Sequence, residues 1–153
     1  MSKPLLIPPL WFALFAALAW GIARSWPGPA LVFPGRDVMA EALGVLGLGI
    51  AAAALVQFQR RGTTYKPEHP DAASALVTGG VYRISRNPMY LGMALILVAL
   101  ALALGSAAAL LATPAFMAVV TFAQILPEER ALSDKFGDAY RAYRARTGRW
   151  III

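Results

Sequence analysis

The chain has 153 residues, enough for one domain, of which 59% are hydrophobic and only 14% are charged. A water-soluble domain usually has about 25% charged residues, and so apolar a composition also excludes a disordered chain. The lack of cysteine excludes disulfides and zinc–thiolate sites, and the lone histidine, His69, excludes a multi-histidine metal site, so we expect no metal. The net charge of +6 in so apolar a chain indicates an anionic membrane as the partner, and no nucleic acid.

Charge-free stretches predict the membrane helices. Residues 4–23, 42–59 and 88–126 contain no charged side chain, and a membrane helix needs about 20 mostly apolar residues. The third stretch is long enough for two spans, with Gly105-Ser106 as the turn between them. The sequence therefore predicts an all-α, polytopic membrane domain with four transmembrane helices and a C-terminal amphipathic helix. The predicted spans cover about residues 5–23, 40–59, 88–104 and 107–126.

Two local features refine the first two spans. Pro8-Pro9 suits the first turn of a helix, and the apolar run is longer than that of a signal peptide, so we expect a retained helix. The second span contains Gly44, Gly47 and Gly49, which would allow a neighbouring helix to approach closely.

The basic residues predict the orientation of the spans. Of the 14 Lys and Arg residues, only Arg24 and Arg36 fall on one side of a four-span arrangement, which leaves 12 on the other. The positive-inside rule then places both termini in the cytoplasm, as in a bacterial cytoplasmic membrane. Segments 60–87 and 127–153 lie on that face, and both are longer than simple connections. We therefore expect any chemistry there.

The first cytoplasmic segment ends in a turn and a helix start. Thr78-Gly79-Gly80 is a glycine turn whose backbone N–H groups could hold an anionic group. Asn87 and Pro88 suit the N-cap and the first position of the third span. Tyr82 and Tyr90 could equally be aromatic residues at the membrane interface, and Arg83 and Arg86 could bind lipid phosphate.

The second cytoplasmic segment begins Pro127-Glu128-Glu129, a strong helix start. An apolar stripe with helical spacing predicts an amphipathic helix on the membrane surface or packed on the bundle, and Gly137 could bend it. The stripe consists of Leu132, Phe136, Tyr140 and Tyr143. Glu128 and Glu129 either complement the helix dipole or bind a cationic or hydroxyl-bearing ligand.

The two segments together suggest a family. The strings LVTGGVYRISRNPMYLG and PEERALSDKFGDAYRAYRARTGRW resemble the C-terminal half of the isoprenylcysteine carboxyl methyltransferase family, which groups with phospholipid methyltransferases. The shared order is T-G-x-Y, R-[HN]-P-x-Y-x-G, a hydrophobic hairpin, E-E and F-G-x-x-Y-x-x-Y. The resemblance covers residues 60–150 closely and the first two spans only in hydropathy.

The resemblance implies an integral membrane methyltransferase that uses S-adenosylmethionine and acts on a lipophilic small molecule or lipid. The implied catalytic residues are Tyr90 and Glu129, and the implied substrate-binding residue is Gln124. Glu129 and His69 are the nearby groups that could take a proton from an acceptor. The implied cofactor contacts are Leu76, Val77, Tyr82, Asn87, Pro88, Met89, Tyr90 and Glu128.

The chain also departs from the prenylcysteine enzymes. Ser74 and Asn87 stand where those enzymes have histidine, and Gln124 stands where an arginine would hold the substrate carboxylate. The acceptor therefore stays open between a prenylated cysteine, a phospholipid amine, a small thiol and another hydrophobic acid. A nicotinamide-dependent membrane reductase of related fold and a non-catalytic assembly or lipid-binding protein are the alternative functions. The oligomeric state is left open.

Overall fold

The computed structural model describes residues 8–26, 28–60 and 76–151. Within these ranges all regular structure is helical, which confirms the all-α prediction. The helices α1 to α5 span Pro8–Ser25, Arg36–Arg60, Pro88–Ala103, Ala112–Val120 and Leu126–Arg146. Short 3-10 turns lie at Gly80–Arg83 and Ala108–Leu111, and a π-helical turn lies at Thr121–Ile125.

The fourth predicted span and the amphipathic helix follow each other in one helical stretch without an intervening loop. It runs over Ala108–Arg146, 39 residues, and is interrupted by a kink at Gly137, whose backbone angles are not helical. Its apolar part ends at Leu126, and the charged residues follow. The Thr121 hydroxyl donates to the Met117 carbonyl at 2.6 Å at the start of the π-helical turn, a back-bond that loosens and bends helices.

In the part of the chain that the structure describes, two helices are long and apolar enough to cross a membrane, Arg36–Gln57 and Ala108–Arg146. Helix α3 is apolar but has only 16 residues. Helix α1 begins at Pro8, and Pro9 also lies in its first turn as predicted; the preceding residues lie outside the described ranges. The structure thus supports a membrane protein, whereas the number of four spans stays a prediction.

The main core lies where α1 meets α3 and α4. Phe15, Leu97 and Phe116 are buried there, and the rings of Phe15 and Phe116 meet edge to face with 5.8 Å between their centroids. The hairpin between α3 and α4 turns at Gly105 and Ser106, as predicted, and Ser106 forms an antiparallel bridge with Ala30. This bridge joins the loop after α1 to the turn between α3 and α4.

Helices α2 and α3 pack along each other at close range. A Cβ atom placed on Gly47 would lie 2.6 Å from the Gly92 carbonyl oxygen, so both helices need glycine where they cross. The predicted role of the small residues in the second span is confirmed at Gly47. Gly49 lies two residues further along the helix, and a Cβ placed on it would have no neighbouring atom within 4 Å.

Helix α5 changes direction at Gly137, where φ is 49° and ψ is −119°. This backbone conformation is accessible to glycine and strained for other residues, so the predicted bend is confirmed. The apolar stripe of α5 packs on the bundle end and does not lie alone on the membrane surface.

Gly47→Ala should destabilise the bundle by about 1–3 kcal/mol, because the added methyl group overpacks the contact with Gly92. Gly49→Ala is the matched control and should leave stability unchanged or raise it slightly, since alanine is the better helix former. Thermal unfolding of detergent-purified protein measures both. Equal midpoints for the two variants would contradict the close helix contact.

Candidate active site

A second cluster of side chains lies where the bundle meets residues 76–87 and α5; we call it the aromatic cluster. Its buried members come from the end of α2, from residues 77–82 and from α5, and its partly buried members line the same space. The buried members are Ala54, Val77, Tyr82, Tyr140 and Tyr143, and the partly buried members are Leu76, Val81, Met89, Leu132 and Phe136. The fold thus brings together four of the implied cofactor contacts, Leu76, Val77, Tyr82 and Met89.

The glycine turn is held by the last turns of α2. With its amide oriented to satisfy both neighbours, Gln57 donates to the Gly79 carbonyl at 2.7 Å and accepts from the Val81 N–H at 3.3 Å. The Tyr82 N–H also donates to the Gly79 carbonyl, at 3.0 Å. These bonds shape the 3-10 turn Gly80–Arg83 and direct Tyr82 into the aromatic cluster.

Tyr82 is fixed from a second side by α5. The Tyr143 hydroxyl donates to the Tyr82 carbonyl at 2.7 Å. Burial, and then the nearby charge of Glu128, raise the pKa of the Tyr82 phenol far above its usual value. Tyr82 therefore stays protonated and can act as a hydrogen-bond donor beside Glu128.

The head of α5 carries two adjacent carboxylates, and Glu129 is held by two arginines. Arg149 donates to both of its oxygens, from Nε to Oε1 at 2.9 Å and from Nη2 to Oε2 at 2.8 Å, and Arg86 Nη1 lies 3.0 Å from Oε1. Burial alone would raise the pKa of Glu129, but the Arg149 hydrogen bonds and the charges of Arg86, Arg149 and Arg144 lower it overall. Glu129 is thus a fully ionised carboxylate.

Glu128 has the opposite environment. Successive helical residues point about 100° apart, so Glu128 turns away from the arginines that hold Glu129. Among the described residues it pairs with no cation. Burial and the neighbouring Glu129 charge raise its pKa to about 7. A half-buried carboxyl group without a cation, beside Tyr82, can bind a cationic or hydroxyl-bearing ligand.

The start of α3 is docked on the segment that follows α5. The Arg86 N–H donates to the Gly148 carbonyl at 3.0 Å. The Arg149 carbonyl accepts from the Ser85 hydroxyl at 3.2 Å and from Asn87 Nδ2 at 3.0 Å. Asn87 and Pro88 occupy the predicted N-cap and first helical positions, but the Asn87 side chain makes no cap bond because it binds the Arg149 carbonyl instead.

The other implied residues lie deeper or outside the described ranges. Tyr90 belongs to the main core and is 2% exposed, and Gln124, on the π-helical turn, is 4% exposed. Both are therefore enclosed by the protein and lie outside the aromatic cluster. The positions of Ser74 and His69 fall outside the described residues.

The sequence did not reveal three members of this arrangement. Arg86 was interpreted as a lipid-binding residue, Arg149 as one of the charges that set orientation, and Gln57 as part of a span. The signal for the arginines was the Glu128-Glu129 pair itself, because a carboxylate at the edge of a span needs a cation partner. Which arginines serve Glu129 depends on contacts 20 and 43 positions apart in the chain.

Comparison with known proteins identifies the family of the chain. Residues 36–139, more than half of the chain, match the family model described as phospholipid methyltransferase. An uncharacterised protein of Haemophilus influenzae is 44% identical over 63 residues, which are 41% of this chain and the whole of that protein. No solved structure matches the chain.

Glu129→Gln should lower the thermal stability at neutral pH, because it leaves the two arginines without their carboxylate. Since the pKa of Glu129 is lowered by folding, its stabilising effect is complete above the unfolded value of about 4.3 and is lost as the pH falls through the folded value. The difference between wild type and variant should therefore shrink below about pH 4. Unfolding midpoints from pH 3 to pH 7, with exposed Glu41→Gln as the control, measure this; a pH-independent difference would contradict it.

Proposed function

The chain belongs to the phospholipid methyltransferase family, and we propose that it transfers a methyl group from S-adenosylmethionine to a lipophilic acceptor at the cytoplasmic face of a membrane. Membership of the family indicates a membrane methyltransferase in general. The identity of the cofactor, the acceptor class and the residue roles below are our proposal.

One observation carries the proposal: Glu128 is a half-buried carboxyl group that has no cation partner among the described residues, although Glu129 beside it has two. Its raised pKa shows that a nearby positive charge would be favourable. S-adenosylmethionine bears a permanent sulfonium cation and an ammonium group. Carboxylates and the faces of tyrosine rings, such as Tyr82, are suitable neighbours for such cations. The residues present therefore fit this cofactor.

The surrounding side chains complete the proposed binding site. Leu76, Val77 and Met89 supply apolar surface for the adenine ring. The Asn87 amide is oriented by its bond to the Arg149 carbonyl, and its Oδ1 accepts no hydrogen bond among the described residues, so it can accept from an amino or hydroxyl group. The backbone N–H groups of the glycine turn at 78–80 are candidate donors to the cofactor carboxylate.

When bound, S-adenosylmethionine supplies a methyl group on a positively charged sulfur. The chain's contribution is then alignment in a site with little water, because methyl transfer is an in-line displacement and orientation contributes strongly to its rate. Glu128 would hold the cationic end, and Tyr82 would stay a neutral donor. Glu129 stays a candidate base from the sequence, but its two arginine partners favour a structural role.

The acceptor would approach from the lipid side. Tyr90 is buried in the main core, and Gln124 is buried near the end of the apolar part of the Ala108–Arg146 helical stretch. Gln124 is neutral and cannot hold a substrate carboxylate by charge, which favours a phospholipid amine over a prenylcysteine carboxylate. The π-helical turn that carries Gln124 supports a functional role, since such turns are frequent at functional sites.

Glu128→Gln should weaken S-adenosylmethionine binding by about tenfold or more, since it removes the charge that pairs with the cofactor cation. Asp134→Asn changes an exposed carboxylate of the same helix and should bind like wild type. Isothermal titration calorimetry on detergent-purified protein measures both. No binding by wild type, or equal binding by both variants, would overturn the proposed cofactor site.

The same titration should depend on pH. The carboxylate form of Glu128 binds the cation, and the pKa of the free site is about 7. Affinity should therefore rise as the pH increases through about 7 and should level off above it. In Glu128→Gln this dependence should vanish, and a persistent rise in the variant would assign the titration to another group.

The acceptor can be identified directly. Purified protein incubated with S-adenosylmethionine labelled in its methyl group and with a membrane lipid extract should place the label in the organic phase. Mass spectrometry of the labelled product then distinguishes a methylated amine from a methyl ester. The Glu128→Gln variant is the control for non-enzymatic transfer, and label that stays in the aqueous phase would contradict a lipophilic acceptor.

A further inference from the structure

The segment that follows α5, residues 147–150, packs against the rest of the protein beside the candidate site. Thr147 and Gly148 are buried, and Trp150 packs against the main core. The carbonyls of Gly148 and Arg149 together accept three hydrogen bonds from residues 85–87. These hydrogen bonds hold residues 85–87, which lead into α3, against the segment.

Arg149 contacts both Asn87, which precedes α3, and Glu129 at the head of α5. Asn87 Nδ2 donates to the Arg149 carbonyl. Because a carbonyl can only accept, this bond orients the Asn87 amide so that Oδ1 faces away from Arg149. Its guanidinium binds both oxygens of Glu129. A paired bond of this kind fixes angle as well as distance, so Arg149 sets the rotation of the helix head that also carries Glu128.

Arg86 holds Glu129 from the opposite side. It reaches Oε1 at 3.0 Å and the Tyr140 hydroxyl at 3.4 Å. Arg86 lies directly before Asn87, so the spacing between Asn87 and the head of α5 is set by two arginines that share one carboxylate. Neither arginine need touch a ligand to determine where Asn87 and Glu128 lie.

We propose that Arg149 is a positioning residue of the methyl-transfer site: it holds Asn87 through its carbonyl and the Glu128-Glu129 helix head through its guanidinium. This inference rests on the proposed function, because it concerns the geometry of the same cofactor site. Arg149 acts through Asn87 and Glu128 and is not itself a cofactor contact.

Three variants test this role through S-adenosylmethionine affinity measured by calorimetry from pH 6 to pH 8, with thermal unfolding recorded in parallel. Arg149→Gln removes both the charge and the paired bonds. Arg149→Lys keeps the charge and loses the paired geometry. Arg141→Gln is the matched control, because Arg141 is exposed and pairs only with exposed Asp138 among the described residues.

We expect Arg149→Gln to weaken binding by about tenfold or more, since small misplacements of binding groups have effects of this size. The pH midpoint of binding should stay at the wild-type value, because burial and the Glu129 charge raise the pKa of Glu128 and Arg149 acts on Glu128 through geometry. The charged and titratable groups around the two carboxylates are Arg86, Arg144, Arg149, Tyr82 and Tyr140. Arg149→Lys should weaken binding while it keeps the wild-type midpoint, and Arg141→Gln should match wild type in both.

A folded Arg149→Gln protein with wild-type affinity, or with weaker binding at a shifted midpoint, would overturn the positioning role, because a shift would mean that Arg149 acts through its charge. If Arg149→Gln does not fold, Arg149→Lys decides, and wild-type affinity in that variant overturns the inference. Absence of binding by wild type would instead overturn the proposed function. The two failures are therefore distinguishable.

Discussion

The interaction on which the rest of the site depends is the buried carboxylate of Glu129 between Arg86 and Arg149. Removing one partner of a buried charge leaves the other uncompensated, which is strongly unfavourable. The three residues come from the start of α3, the head of α5 and the segment after α5. Satisfying one charge therefore joins three distant segments at one end of the bundle, where residues 85–87 also donate three hydrogen bonds to the carbonyls of Gly148 and Arg149.

The same interaction gives two adjacent glutamates different properties. Glu129 faces the arginines and stays ionised, whereas Glu128, turned by one helical step, has burial and a like charge as its main influences. A pair of identical side chains thus supplies one structural anion and one group that responds to a cation. This division follows from helix geometry and from the placement of the two arginines, and it is the basis on which we propose Glu128 as the partner of a cationic cofactor.

The bundle positions this end of the molecule by close helix contact and by one long helix. Gly47 and Gly92 let α2 and α3 meet at backbone distance, which brings Gln57 to the glycine turn and Ala54 to the aromatic cluster. The helical stretch from Ala108 contributes to the main core at one end and contains the tyrosines of α5 at the other. Its bend at Gly137 directs Tyr140 and Tyr143 back toward Tyr82.

Much of this was determined by the sequence alone. The charge-free stretches, the turn at Gly105, the start of α3 at Pro88 and the bend at Gly137 are local signals, because they depend on hydropathy and on backbone preferences of single residues. The ordered motifs also predicted the family and the gathering of Leu76, Val77, Tyr82 and Met89. Glu128 was recognised as an unusual carboxylate at the edge of a span for the same local reason.

Only the tertiary structure decided how the two glutamates differ, which arginines hold Glu129, and where the Asn87 side chain points. Asn87 was expected as a cap from its position before Pro88, but its amide binds the Arg149 carbonyl, 62 positions away. Likewise, Arg149 carried no local signal beyond its charge. Pairing of buried charges depends on which segments meet in space, whereas periodicity and hydropathy report only what each segment does alone.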